Sequence, residues 1–200
     1  MKTVGYKVKE FNVVGVHPNG SFETITEKSF EGKWKIVVFY PKDFTFVCPT
    51  EIMAYDKLNK DFADRDAVLL IGSTDNEYCK LGWKNSHEGL KTMTSWMFAD
   101  TKRTHYVYED DGGSEFGDKK LFGDKKEGLV DQLGVFHKEA GAALRATFIV
   151  DPDNVIQHVT VNNLNVGRNP DETLRVLDAL QTEELCACNR QVGGETLNVA

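Results

Sequence analysis

Cysteine and proline are both sparse in this chain, four and five respectively among 200 residues. Four cysteines, unevenly placed at 48, 79, 186 and 188, are too few for the disulfide framework of a small secreted protein. No Cys-x-x-Cys occurs, which argues against a thioredoxin-like disulfide oxidoreductase, because that vicinal pair is what releases the mixed disulfide. Cys186-Ala187-Cys188 has no second cysteine pair and no histidine at ligand spacing, so it is a poor zinc site. Long apolar runs are missing as well. The longest, such as IVVFY at 36–40, fall far below the roughly 18–20 residues of a membrane span. The N-terminal MKTVGYKVKEFNVVGV carries no apolar signal-peptide core, so the Asn19-Gly20-Ser21 sequon is expected to be fortuitous. Basic charge is the last shortage. Lys and Arg total 24 against 31 Asp and Glu, a net −7 that argues against general attraction to nucleic acid or anionic lipid. A cytoplasmic protein is expected, with neither nucleic acid nor membrane as a partner.

The rest of the composition is ordinary for a globular chain, and the length suits one domain over 1–200 with a tail at 183–200. KIVVFYP (35–41) is β-branched and aromatic, a buried strand bounded by Gly32 and Pro41. Ile52, Tyr55, Leu58 and Phe62 then fall at helical spacing, with Pro49 allowed at a first helical position. AVLLIGS (67–73) reads as a second buried strand, followed by a helix over about 75–86 with Ser73 or Thr74 as its cap. SWMFAD (95–100) suggests a third strand, and RATFIVDPDNVIQHVTV (145–161) a hairpin turning at Pro152-Asp153-Asn154. NPDETLRVLDALQT (169–182) is a helix capped by Asn169, with Leu174, Val176, Leu177 and Leu180 on its buried side. That order implies an α/β sheet sandwiched by helices. The segment 109–128, which carries FGDKK twice, reads as a solvated surface loop.

Chemistry concentrates at Cys48. It follows the apolar strand and opens the helical pattern, immediately before Pro49-Thr50-Glu51. A thiol attacks as thiolate, so a useful nucleophile needs a pKa below the free value of roughly 8.5. The unpaired N–H groups and dipole of a helix start favour an anion, and a nearby arginine, permanently charged, favours it further. Thr45, three residues earlier, offers a hydroxyl that donates and accepts. Cys79, within NEYCKLGW, reads as a semi-buried helix residue.

The arrangement Pro41-x-x-x-Thr45-x-x-Cys48 resembles the active-site signature of the peroxiredoxins. KDFTFVCPTE (42–51), ATFIVDP (146–152), VGRN (166–169) and ELCACN (184–189) follow in the order of that family. The likeness covers nearly the whole chain apart from the repeat. It points to typical two-cysteine peroxiredoxins of the bacterial alkyl hydroperoxide reductase C type, and LDALQTEELCACN is similar to the actinobacterial form with three redox cysteines.

The resemblance implies a thioredoxin-like α/β fold, a central mixed β-sheet with helices on both faces, and a peroxidase acting on hydrogen peroxide and organic hydroperoxides. Cys48 would be oxidised to a sulfenic acid. Thr45 would hold the peroxide and Pro41 would shield the thiolate. Arg145 would stabilise the thiolate and the breaking O–O bond, Glu51 would orient the arginines, and Arg168 would support them. Cys186 or Cys188 would resolve the sulfenic acid across an antiparallel homodimer, itself a unit of a ring of dimers. Thioredoxin, an alkyl hydroperoxidase D-type adaptor or a flavoprotein reductase would supply electrons. No metal, flavin or haem is implied, and none of the five His has a partner at ligand spacing. NSHEGLKT (85–92) stands where over-oxidation-sensitive members carry Gly-Gly-Leu-Gly, and no Tyr-Phe helix follows Cys188, so fast resolution is expected. A redox-switched holdase is the non-catalytic alternative, which the intact Cys48 signature disfavours.

Overall fold

A computed structural model describes residues 1–102 and 128–197. Its first two strands, Asn12–Val16 (β1) and Phe22–Thr26 (β2), form an antiparallel hairpin that the sequence pattern did not disclose. The signal was the Asn19-Gly20 turn pair following the apolar run of β1. Gly20 sits at φ +91°, and the His17 N–H donates to the Ser21 carbonyl at 2.9 Å to close the turn. Trp34–Phe39 (β3) leads into Cys48–Lys57 (α1) and the short Asn59–Ala63 (α2). The expected single helix is therefore interrupted at Leu58, yet Ile52, Tyr55 and Phe62 are all buried as its spacing required. Ala67–Ser73 (β4), Glu77–Ser86 (α3) and Trp96–Ala99 (β5) follow. Beyond the undescribed stretch come Leu129–Leu133 (α4), a miniature hairpin of Phe136–His137 (β6) and Ala142–Ala143 (β7), then Arg145–Val150 (β8), Ile156–Asn162 (β9) and Pro170–Leu180 (α5). The FGDKK repeat lies outside the described residues.

Seven strands make one mixed sheet in the order β2-β1-β5-β4-β3-β8-β9. Strands β3, β4 and β5 run parallel, joined by crossovers through α1–α2 and α3, whereas β8 and β1 flank them antiparallel. Alternation along β3 decides the layers. Ile36 and Val38 face the cluster built with α1, α2, α3 and α5, and Val37 and Phe39 face the one built with α4 and the N-terminal arm. A one-residue slip would exchange these two sets, and each fully buried side chain is worth about 1.5–3 kcal/mol, so the register is firmly specified. Gly72 shows how tightly β4 and β5 pack: a Cβ there would lie 2.4 Å from both the Phe98 ring and its carbonyl oxygen.

Helix α3 begins two residues later than expected, and its cap is Asn76, which accepts from the Cys79 N–H at 2.8 Å, in place of Ser73 or Thr74. The Ser73 hydroxyl is engaged elsewhere, by Lys80 at 2.7 Å. Asn169 caps α5 as its sequence demanded, accepting from the Asp171 N–H. Among the described residues no helix is long and apolar enough to cross a membrane.

Candidate active site

Strand β3 delivers the chain to the carboxyl edge of the parallel strands, where crevices of α/β sheets form. Residues 40–47 turn there, with Phe44 in the left-handed region at φ +55°, and α1 starts on Cys48. Val47 precedes it in helical geometry, and its carbonyl accepts from the N–H groups of Thr50 (3.1 Å) and Glu51 (3.3 Å). Pro49 costs the helix nothing at this point because first-turn N–H groups have no intrahelical acceptor. Cys48 is 1% exposed, so its thiol is shielded from bulk water.

Arg145, the first residue of β8, directs Nη1 to Cys48 Sγ at 3.5 Å and to Glu51 Oε2 at 2.6 Å. Its Nε donates to the Leu164 carbonyl at 2.7 Å, so the guanidinium is fixed on two sides. Arg168 binds the other carboxylate oxygen of Glu51 through Nε at 2.8 Å and its own backbone N–H at 2.9 Å, with Nη2 reaching Oε2 at 3.1 Å. All three charged side chains are buried. Burial opposes ionisation of Glu51, but the hydrogen bonds and charge of Arg168, followed by the charge of Arg145, outweigh it and hold the carboxyl below the usual carboxylate range. One carboxylate facing two guanidinium groups leaves net positive charge beside the sulfur. This constellation is suited to an anionic nucleophile and to negative charge developing on a departing oxygen.

Cys48, Glu51, Arg145 and Arg168 are thus brought together. Pro41 is buried in the segment entering α1. Thr45 lies on that segment half-exposed, and its hydroxyl donates to the Lys42 carbonyl at 3.0 Å. Sequence reasoning missed Thr147 and Tyr55. Thr147 Oγ1 accepts from Arg168 Nη1 at 3.1 Å and meets the Tyr55 hydroxyl at 2.9 Å, while the Arg168 guanidinium lies over the Tyr55 ring. The signal at hand was strand period: Thr147 is two residues past Arg145 and therefore shares its face of β8.

The four cysteines are free, and Cys186 and Cys188 lie on the tail beyond α5. Cys186 is half-buried, its Sγ 3.5 Å from Thr182 Oγ1 and 3.8 Å from the Ala179 carbonyl, whereas Cys188 is exposed. A tail of this kind is expected to be mobile, but its described residues fold back on α5. Asp178 on α5 accepts from Arg190 Nη1 at 2.7 Å and from the Gly193 N–H at 2.9 Å, and it also pairs with Arg65. Arg175, one turn earlier, donates to the Arg190 carbonyl at 3.2 Å, and the Leu197 N–H returns to the Leu185 carbonyl.

Known proteins resemble this chain over most of its length. The family described as AhpC/TSA matches residues 4–159. Alkyl hydroperoxide reductase C of Mycolicibacterium smegmatis is 44% identical over 207 residues, covering 98% of this chain and 93% of the relative. The crystal structure of reduced Plasmodium vivax 2-Cys peroxiredoxin superposes with a TM-score of 0.80 at 30% identity, covering 98% of this chain and 92% of that one. Mycobacterium tuberculosis AhpC superposes with a TM-score of 0.74 at 39% identity, covering 94% and 97%.

Proposed function

The chain belongs to the AhpC/TSA family and is a thiol-dependent peroxidase with a thioredoxin-like fold, and from that premise we propose that Cys48 is its peroxidatic cysteine. The observation that carries this reading is the 3.5 Å contact of Arg145 Nη1 with the Cys48 sulfur at the first residue of α1. The Cys48 thiolate attacks the terminal oxygen of a hydroperoxide. The S–O bond forms as the O–O bond breaks, and the alkoxide or hydroxide leaves and takes a proton, giving the sulfenic acid and an alcohol or water. Arg145 holds the thiolate and bonds the peroxide oxygens as charge builds on them, with Glu51 and Arg168 keeping it in place. Thr45 turns its hydroxyl from the Lys42 carbonyl to the peroxide, and Pro41 keeps water from the sulfur.

Cys186 or Cys188 of a second copy then condenses with the sulfenic acid, expelling water and leaving an intersubunit disulfide. An external dithiol returns the two electrons, supplied by thioredoxin, an alkyl hydroperoxidase D-type adaptor or a flavoprotein reductase. The working unit is an antiparallel homodimer, assembled into a ring, in the cytoplasm, serving antioxidant defence. The test is one equivalent of hydrogen peroxide added to reduced protein and run on a non-reducing gel beside Cys48→Ser, Cys186→Ser and Cys188→Ser. Conversion to a covalent dimer, lost in Cys48→Ser and in one tail variant, supports the cycle and identifies the resolving thiol. A dimer formed as readily by Cys48→Ser overturns it. With NSHEGLKT at 85–92, resistance to sulfinic acid formation at millimolar peroxide is also expected.

A further inference from the structure

Beneath residues 40–47 lies a lysine with no exposed surface. Lys80, on the first turn of α3, directs its ammonium to Ser73 Oγ (2.7 Å), Tyr40 OH (3.1 Å) and Asp43 Oδ1 (3.2 Å). Its three donors are therefore matched by three acceptors. Two of those acceptors, Tyr40 and Asp43, belong to the segment that carries Pro41 and Thr45 into Cys48. Tyr40 OH also donates to Asp43 Oδ1 at 2.6 Å, and the Asp43 N–H donates to Asp75 Oδ2 at 2.7 Å. The third acceptor, Ser73, ends β4 and is part of the rigid sheet.

Lys80 is the basic group of this cluster: burial lowers its pKa, and the facing carboxylates of Asp43 and Asp75 oppose that and favour the ammonium. Without it, Asp43 would be a buried carboxylate with one oxygen bonded chiefly to Tyr40 and the other, Oδ2, without a hydrogen-bond partner among the described residues. Such a group takes up a proton or turns out to water, because an unpaired buried charge is expensive. Turning out displaces the backbone between Pro41 and Thr45, since Asp43 stands midway between them, and protonation weakens the bonds Asp43 accepts from Tyr40 and Ser73. Phe44, next in the chain, already holds a left-handed φ and depends on its surroundings to keep it.

We propose that Lys80 is a positioning residue for the peroxide-reducing step, its buried ammonium locking Tyr40 and Asp43 to the end of β4 so that Pro41 and Thr45 meet a peroxide at Cys48. This rests on Cys48 being the peroxidatic cysteine. Lys80 touches neither peroxide nor sulfur, so its removal affects the geometry of peroxide capture and leaves the Arg145 contact with the thiol in place.

The test compares wild type, Lys80→Met, Tyr40→Phe and Cys48→Ser by stopped-flow tryptophan fluorescence with hydrogen peroxide, and by iodoacetamide labelling of the Cys48 peptide from pH 5 to 9. Tyr40→Phe keeps the ring and removes the hydroxyl that bonds both Lys80 (3.1 Å) and Asp43 (2.6 Å) while the direct Lys80–Asp43 contact stays, so it tests the Tyr40 arm of the lock if Lys80→Met does not fold. The expected result is a drop of at least about tenfold in the second-order peroxide phase of each folded variant, with the labelling profile of Cys48 unchanged. A peroxide rate within twofold of wild type in folded Tyr40→Phe or Lys80→Met overturns the role. Faster labelling of Cys48 alongside the lost rate also overturns it, since the site would then merely have opened. A wild type with no peroxide phase, or a Cys48→Ser that retains one, refutes the peroxidatic reading itself, and the role of Lys80 with it.

Discussion

Replacing Glu51 with Gln tests whether one carboxylate organises the whole site. The substitution preserves volume and leaves no cavity, so its effect is confined to charge and hydrogen bonding. Glu51 accepts four hydrogen bonds, one from Arg145 and three from Arg168, two on each oxygen. A carboxamide keeps one oxygen and presents an NH2 at the other position. Whichever way it turns, two donors face a donor. Removing one partner of a buried ion pair costs about 3–5 kcal/mol, because the remaining charge stays buried. Here both guanidinium groups remain, so Glu51→Gln is expected to lose about 3–5 kcal/mol in urea unfolding at pH 7 with an unchanged m-value. At about 2–4 °C per kcal/mol for a chain of this size, the melting temperature falls by roughly 10 °C. The rate of Cys48 oxidation falls at least about tenfold, which needs only about 1.4 kcal/mol of lost transition-state stabilisation. The effect of pH is fixed in sign. A carboxyl held below its unfolded value of about 4.3 stabilises the fold above that value and loses the contribution as pH falls through the folded pKa. The stability gap between wild type and Glu51→Gln is therefore full at pH 7 and closes below about pH 4. A gap under about 1 kcal/mol at pH 7, or one that persists unchanged at pH 3, would refute the reasoning.

Other consequences follow from the same contacts. Asp178→Asn removes the anion that holds Arg190 and the Gly193 N–H, so amide exchange over 186–193 is expected to accelerate at least about tenfold. Burial opposes ionisation of Asp178, but the Gly193 N–H, Arg190 and Arg65 hold it below the ordinary range, so wild type should show the same loosening only as pH falls below that range; unchanged protection in the variant would count against the clamp. Burial pushes the Cys79 thiol up, with the charges of Asp43 and Asp75 adding to the effect, so at pH 8 iodoacetamide should label exposed Cys188 well before Cys79 by peptide mass mapping. Equal labelling rates would contradict this. Gly72→Ala forces a Cβ to within 2.4 Å of the Phe98 ring and carbonyl, so β4 and β5 must part at a cost of about 2–3 kcal/mol, read as a melting temperature lower by several degrees. A variant melting within a degree of wild type would show that the sheet relaxes freely.

What the sequence disclosed depended on how far apart the interacting residues lie. Cys48 and Glu51 sit on one helix start, so local pattern drew attention to Cys48, and resemblance to a family supplied the roles expected of both. Arg145 and Arg168 lie 94 and 117 residues from Glu51, and spacing alone does not connect such positions; resemblance to a family supplied them. The central strands were legible because both faces are buried and the runs are unbroken. Strand β2 was not, because FETIT is mostly exposed and has little apolar pattern to read. Lys80 is the instructive failure. Lysine is almost never fully buried unless paired, and NEYCKLGW looks like an ordinary polar helix face. Its burial becomes possible only when Tyr40 and Asp43 from the loop after β3 and Ser73 from β4 converge on it. The start of α3 was misplaced for a local reason. Ser73 had the right chemistry for a cap, but it ends β4, where its hydroxyl meets Lys80 and the Asp75 N–H, and Asn76 caps the helix instead. The helix boundary is thus set by Asn76, while the convergence on Lys80 accounts for the missed residue. Disrupting it through Tyr40→Phe should leave the α3 cap at Asn76, because Lys80 keeps its bond to Ser73. Ser73→Ala should leave that cap untouched as well, since Asn76 draws nothing from Ser73.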